Sequence, residues 1–279
     1  MPRFLAVALV LLVACPAHAA DKALDRSFTV SPGGSLVVDA DGASIRVSGS
    51  DTDKVTVRMK VRGTESELDD ITLDATQDGN VVTATMKRPK ARRWFGWGWT
   101  IESSIEVTVP RQYGVDVRTS GGNIELKDTV GSVKLYTSGG DVTASNLHGN
   151  VWVRTSGGQI VLDKVRGDVE AKTSGGDVRL LNIDGSIDGH TSGGSVRVSL
   201  AGANRGISAT TSGGNVEVIL PPGTSGDVAA STSGGNVRTD IPVTTSVVRE
   251  GRLEGTLNGG GPRIKAHTSG GDVRLRASG

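Results

Sequence analysis

The chain of 279 residues carries 31 basic and 30 acidic side chains, a formal net charge of +1. That balance excludes a general nucleic-acid binder, because recognition of a polyanion would have to come from a local patch. With one cysteine, and aromatic residues at only 3% against 40 glycines, the chain has neither a disulfide framework nor a bulky aromatic core.

Residues 1–20 read as a secretory signal peptide. Arg3 precedes an apolar run from Phe4 to Ala14, and Ala17-His18-Ala19 has the small-x-small form of a cleavage site. The run is shorter than the ~20 apolar residues that a spanning helix needs. Export to the periplasm or the cell surface is the expectation. The alternative is a lipid anchor through Cys15, since Leu12-Val13-Ala14-Cys15 is similar to a lipoprotein cleavage box. Removal of the leader takes Arg3 with it and leaves 30 basic against 30 acidic groups.

Residues 21–110 follow. Apolar alternation predicts strands over 35–40, 43–48, 54–62, 71–76, 81–86 and 104–110. Asp41-Gly42 stands where a Gly-Gly turn would, so the stretch is expected to form an N-terminal β cap continuous with the rest and protecting its first edge. Residues 87–99 hold three of the four tryptophans and five positive charges. Trp94, Phe95, Trp97 and Trp99, beside Arg92 and Arg93, are candidate binding residues. They suit the headgroup region of an anionic membrane, stacking on sugar rings, or a pocket on a protein partner. They suit equally a lid folded over the open end of a core.

Residues 111–279 repeat. Thr-Ser-Gly-Gly occurs eight times, beginning at Thr119, Thr137, Thr155, Thr173, Thr191, Thr211, Thr232 and Thr268, and the first four steps are all eighteen residues. A fixed period of this kind means stacked copies of one small unit. Each period holds two runs of alternating apolar residues separated by glycine turns, so one coil is two short strands and two turns. The expected fold is all-β, a single elongated parallel β-solenoid with equivalent strands about 4.8 Å apart. Ile124, Val142, Ile160, Val178, Val196, Val216, Val237 and Val273 form one inward column, and Val133, Val151, Val169 and Ile187 another. The turn residues are Gly121, Gly122, Gly139, Gly140, Gly157, Gly158, Gly175, Gly176, Gly193 and Gly194, and a reversal within two residues predicts positive φ there. Toward the C-terminus the steps lengthen, Pro221, Pro222 and Pro242 fall in the gaps, and residues 259–271 read as an irregular coil followed by a final one.

The Thr-Ser-Gly-Gly-Asp/Asn-Val units, the lead-in Ile105-Glu106-Val107-Thr108-Val109-Pro110 and the segment Leu257-Asn258-Gly259-Gly260-Gly261 carry a resemblance. The chain resembles a bacterial family of exported β-strand-repeat proteins labelled "putative adhesin", whose molecular function is unknown. The resemblance covers nearly all of the mature chain and implies a solenoid, but it brings no catalytic residues with it.

Three columns remain. Arg118, Tyr136, Arg154, Lys172 and His190 precede successive Thr-Ser-Gly-Gly units and form an outward, mostly basic ladder, in which Arg154 and Lys172 are candidates for a polyanion. Two positions earlier, Asp116, Lys134, Trp152, Glu170 and Asp188 partly neutralise it, as on a solvated, charge-balanced face. After each Gly-Gly stand Asn123, Asp141, Gln159 and Asp177, an arrangement similar to calcium-binding repeats. Asp141 and Asp177 are two coils apart, about 10 Å, too far for one ion, so no metal and no cofactor is assigned and side-chain capping of turns accounts for the column. His148, His190 and His267 are scattered without motif partners, and no residue is assigned to catalysis. The sequence points to a non-catalytic, adhesin-like or envelope-associated binding scaffold. Its expected partner is an envelope component, a surface glycan or a protein, with peripheral contact to an anionic membrane and no nucleic acid. The alternatives are a carbohydrate-active enzyme with a groove on one face and a self-associating structural spacer.

Overall fold

The computed structural model describes residues 19–88 and 101–278. These residues form 25 strands and one short helix, Glu65–Leu68, and the strands lie in two sheets of twelve and thirteen. The inner faces of the sheets share one core of aliphatic side chains.

One coil explains the rest. Strand Val142–His148 of the first sheet buries Val142, Ala144 and Leu147, and strand Val151–Arg154 of the second buries Val151 and Val153. The first strand breaks its own alternation, because two residues rather than one separate Ala144 from Leu147. The cause is Asn146, whose left-handed φ of 56° adds a bulge that returns Leu147 to the core. Asp128, Lys164 and Asn182 hold the same conformation in neighbouring coils, a position that short polar side chains tolerate best. Gly149, at φ 133°, then turns the chain into the second sheet.

Parallel pairing places like on like. Val142 faces Ile160, Ala144 faces Leu162 and Leu147 faces Val165, while Val133 faces Val151 in the other sheet. A one-residue slip would turn every such column to solvent. Core volume is balanced between sheets: along the column Val153, Ala171, Gly189 and Ala209 the side chain shrinks to nothing at Gly189. A Cβ there would stand 3.2 Å from Leu180 Cδ1 and 3.3 Å from Val196 Cγ1, so the opposite sheet fills the space.

The repeat motif stitches coils together. Each repeat threonine points inward and donates from Oγ1 to a carbonyl one coil away: Thr137 to Gly122, Thr155 to Gly140 and Thr173 to Gly158, at 2.9–3.0 Å. The amide of the second glycine donates back to its own threonine, Gly140 to Thr137 and Gly158 to Thr155, both at 3.3 Å. The expectation of positive φ at the Gly-Gly pairs is incorrect, since none of the ten glycines named above lies in the left-handed region. The second glycine is required by close approach instead. A Cβ on Gly122, Gly140, Gly158, Gly176 or Gly194 would overlap the carbonyl of the coil beneath. The first is looser, with open space around Gly121.

Rungs do not stack in chain order at either end, which corrects the reading of residues 259–271. The final coil, strands Arg263–Thr268 and Val273–Ala277, is inserted between the coil of Ile207–Thr210 and Val216–Leu220 and that of Gly226–Thr232 and Val237–Thr239. Capping follows the spatial order: the Asp272 N–H donates to Asn215 Oδ1, and the Asn236 N–H to Asp272 Oδ1, each at 2.8 Å. Near the N-terminus, strands Gly34–Ala40 and Ser44–Ser50 are likewise held between Val81–Lys87 with Glu102–Pro110 on one side and Tyr113–Thr119 with Ile124–Val130 on the other.

The sheets are parallel-dominated rather than parallel throughout. Antiparallel pairs join Ala19–Thr29 to Lys54–Thr64, the latter to Glu102–Pro110, and Thr72–Asp78 to Val81–Lys87. At the other end, Arg252–Leu257 pairs antiparallel with both Gly226–Thr232 and Thr244–Arg249. Strand Ala19–Thr29 was not expected, and its first residues fall within the stretch read as signal peptide. Its pattern is obscured by Lys22, which is half-buried because its Nζ donates to the carbonyls of Leu68 (3.0 Å) and Ile71 (2.6 Å) around the short helix.

Candidate binding face

The outer face of the second sheet carries two aligned rows of side chains. Strand register puts Lys134, Trp152, Glu170, Asp188, Ser208 and Lys265 in one row. Tyr136, Arg154, Lys172, His190, Thr210 and His267 stand in the other, two residues further along each strand. A shallow groove of about 670 Å³ runs over the first row, from Lys134 across Trp152 to Arg263 and Lys265. Trp152 is half-buried at an outward position. Sequence reasoning did not select it as a site residue, yet a signal was available: it is the one tryptophan outside the 94–99 cluster, and it stands in an outward column.

Charges in the groove are organised unequally. Lys172 Nζ lies 2.7 Å from Glu170 Oε1 and 3.6 Å from Asp188 Oδ2. The Lys172 hydrogen bond holds the Glu170 carboxyl below the usual carboxylate range, with smaller help from the Trp152 indole N–H, and Glu170 raises the lysine in turn. Asp168 is also held low, because the backbone N–H and the hydroxyl of Ser186 donate to it, the former at 2.9 Å. Lys172, expected as a contact for a polyanion, is thus consumed by an internal network. Arg154 and Lys134 are different: among the described residues neither forms an ion pair.

Other expected features find plain places. His190 Nδ1 is 2.9 Å from Thr210 Oγ1 and His267 Nδ1 is 2.9 Å from Ser231 Oγ, so both rings bond to the adjacent strand. Asp141 and Asp177 each accept the N–H of the residue one coil on, Gln159 and Ser195, at 2.9 Å; the capping is between coils rather than within a turn. Trp94, Phe95, Trp97, Trp99, Arg92 and Arg93 lie outside the described residues. Beside them, the Arg88 N–H donates to Asp41 Oδ2 at 3.0 Å and its guanidinium to Ser103 Oγ at 2.8 Å, and burial lowers its pKa.

The family model for Toastrack DUF4097 matches residues 34–276. The chain belongs to this Toastrack family. Its match spans the coils, both inserted rungs and the groove. No curated protein matches the chain. Solved structures with the same general likeness include a "putative lipid binding protein" from Parabacteroides distasonis, 13% identical with a TM-score of 0.41 over 92% of this chain and 97% of that one. A "putative adhesin" from Bacteroides fragilis is 13% identical with a TM-score of 0.38 over the same shares. A "putative cell adhesion protein" from Clostridium sporogenes is 13% identical with a TM-score of 0.32, covering 92% of this chain and all of that one.

Proposed function

We propose that this Toastrack protein is an exported, non-catalytic binding scaffold of the bacterial cell envelope. The observation that carries the reading is the groove on the outer face of the second sheet, where a half-buried tryptophan and cations without an ion-pair partner among the described residues are set on registered strands. A site built on strands is held more firmly than one on loops. The leader over residues 1–20 supports export, and Trp94, Trp97 and Trp99 with Arg92 and Arg93 supply a second contact for an anionic envelope surface.

Two of the groove's three carboxylates, Glu170 and Asp168, favour binding over glycoside cleavage. A glycosidase needs one carboxylic acid with a raised pKa to protonate the leaving oxygen. Glu170 and Asp168 are both held low, a state suited to accepting hydrogen bonds from hydroxyl groups. The test is sedimentation of the purified protein with isolated cell envelopes. It is expected to pellet with them and to release no soluble sugar. Protein that stays in the supernatant would sink the proposal, and liberated saccharide fragments would replace it with the enzyme reading.

A further inference from the structure

We infer that the groove around Trp152 binds an acidic polysaccharide, one sugar ring lying against the indole and its acid groups meeting Lys134 and Arg154. The inference deepens the scaffold reading and rests on it.

Strand geometry brings the three residues together. Lys134 is the register partner of Trp152 in the neighbouring strand, one strand spacing of about 4.8 Å away along the stack. Arg154 follows Trp152 by two on the same strand and the same face, about 6.6 Å along it. Two cations therefore bracket the ring in perpendicular directions. Tyr136, paired with Arg154 and two residues beyond Lys134, completes the square with a second half-buried aromatic. Aromatic faces offer broad apolar area for stacking, while their polar edges keep hydrogen-bonding partners.

The sign of the ligand follows from which charges are spent. Glu170 and Asp188 are committed to Lys172. Lys134 at one end of the groove and Arg263 and Lys265 at the other have no ion-pair partner among the described residues, and neither has Arg154, which stands beside the groove two residues beyond Trp152 and acts on Glu170 only through its charge. The free field is positive at both ends, while the centre sets Asp168, Glu170 and Asp188 against Lys172 alone and supplies hydrogen-bond acceptors for sugar hydroxyls. Such complementarity selects an anion and steers its approach.

The shape selects a chain. From Lys134 to Lys265 the groove crosses six strands in register, five spacings or roughly 24 Å, more than a single sugar fills. It is a shallow depression on the outer face of the sheet, which admits a polymer lying across the strands. A bilayer would need the tryptophan to protrude.

Affinity electrophoresis of the mature protein in gels holding polygalacturonate, dextran sulfate or uncharged dextran tests the inference, with phosphatidylglycerol vesicles in a parallel sedimentation. Retardation is expected in at least one of the two acidic gels and not in dextran. Trp152→Ala should weaken it about tenfold or more, as for a buried aromatic anchor, and Trp152→Phe should recover most of the loss. Lys134→Ala and Arg154→Ala should each weaken it several-fold and flatten its salt dependence. The three side chains point outward, so melting temperatures should not move. No retardation in either acidic gel, equal retardation in dextran, or an unaffected Trp152→Ala variant overturns the inference. So does Trp152-dependent binding to vesicles alone. If polysaccharide binding is absent while Trp152→Ala still pellets with envelopes, only this inference fails; if wild type does not pellet either, the scaffold reading falls with it.

Discussion

Thr155 is 2% exposed and its hydroxyl has two duties: it donates to the Gly140 carbonyl at 3.0 Å and accepts the Gly158 amide at 3.3 Å. Thr155→Val keeps the shape and removes both, leaving a buried carbonyl and amide short of partners. The expected cost is about 1–3 kcal/mol, read as a lower urea midpoint at unchanged slope. Thr129 presents the reverse case. It is fully buried, its Oγ1 has no partner among the described residues, and it aligns with Leu147 in the next coil. Thr129→Val should therefore stabilise the protein by about 1 kcal/mol. Shifts of the same sign in the two variants would refute this account. The glycines make a second matched pair. Gly158→Ala drives a Cβ into the Gly140 carbonyl, whereas at Gly139 the nearest atom is 3.9 Å away. Loss of roughly 3 kcal/mol or more is expected for the first and almost none for the second, by the same denaturation. That the threonine column points inward was legible from alternation. That Gly-Gly serves backbone contact was not, because a glycine column shows that a side chain is excluded without showing whether torsion or a neighbour excludes it.

Eighteen-residue coils are legible because each one repeats the same apolar phases, and strands over 35–40, 54–62, 81–86 and 104–110 appear close to their expected bounds. The order of rungs is another matter. Val237 and Val273 follow the same tetrapeptide, so no motif tells which one stacks on Val216; the structure puts Val273 there and Val237 beyond it. The hairpin of Thr244–Arg249 and Arg252–Leu257 carries the chain out and back, leaving a slot that the last coil fills. Ion pairs tie the inserted coil on both sides, Arg276 Nε to Glu217 Oε1 at 3.0 Å and Arg274 to Asp240 Oδ2 at 2.6 Å. An end built in this way cannot fray one rung at a time. Truncation before Arg263 should deprotect amides of both 216–220 and 226–232 in hydrogen exchange, since each loses its shared neighbour. Loss confined to the outermost rung would mean that the coils stack in chain order after all. The binding groove was legible only in part for a related reason. Its basic column could be aligned from the repeat, but Lys265 and Arg263 join the groove through the insertion, which no period announces.

A solenoid of two sheets leaves four terminal strands, and each unpaired edge invites another strand unless something blunts it. Three are blunted. Ala19–Thr29 carries Asp21 and Asp25 in ion pairs with Arg62 and Arg58, Val237–Thr239 is three residues long, and Thr72–Asp78 bears Asp74 and Asp78. The fourth, Thr244–Arg249, has one charge, at Arg249, and Val248 is 68% exposed, the most open of the large apolar side chains among the described residues. Its sequence of threonines and valines suits β pairing. Two copies can meet there about a two-fold axis and extend the thirteen-stranded sheet across both molecules. Sedimentation velocity should show concentration-dependent association, and Val248→Lys should suppress it while leaving the melting temperature within about 1 kcal/mol equivalent of the parent, as for an exposed edge position. Association that survives the lysine would place the contact on another surface. Because the groove over Trp152 lies on the face of the sheet rather than at its end, the same variant should bind acidic polysaccharide as the parent does, separating assembly from recognition.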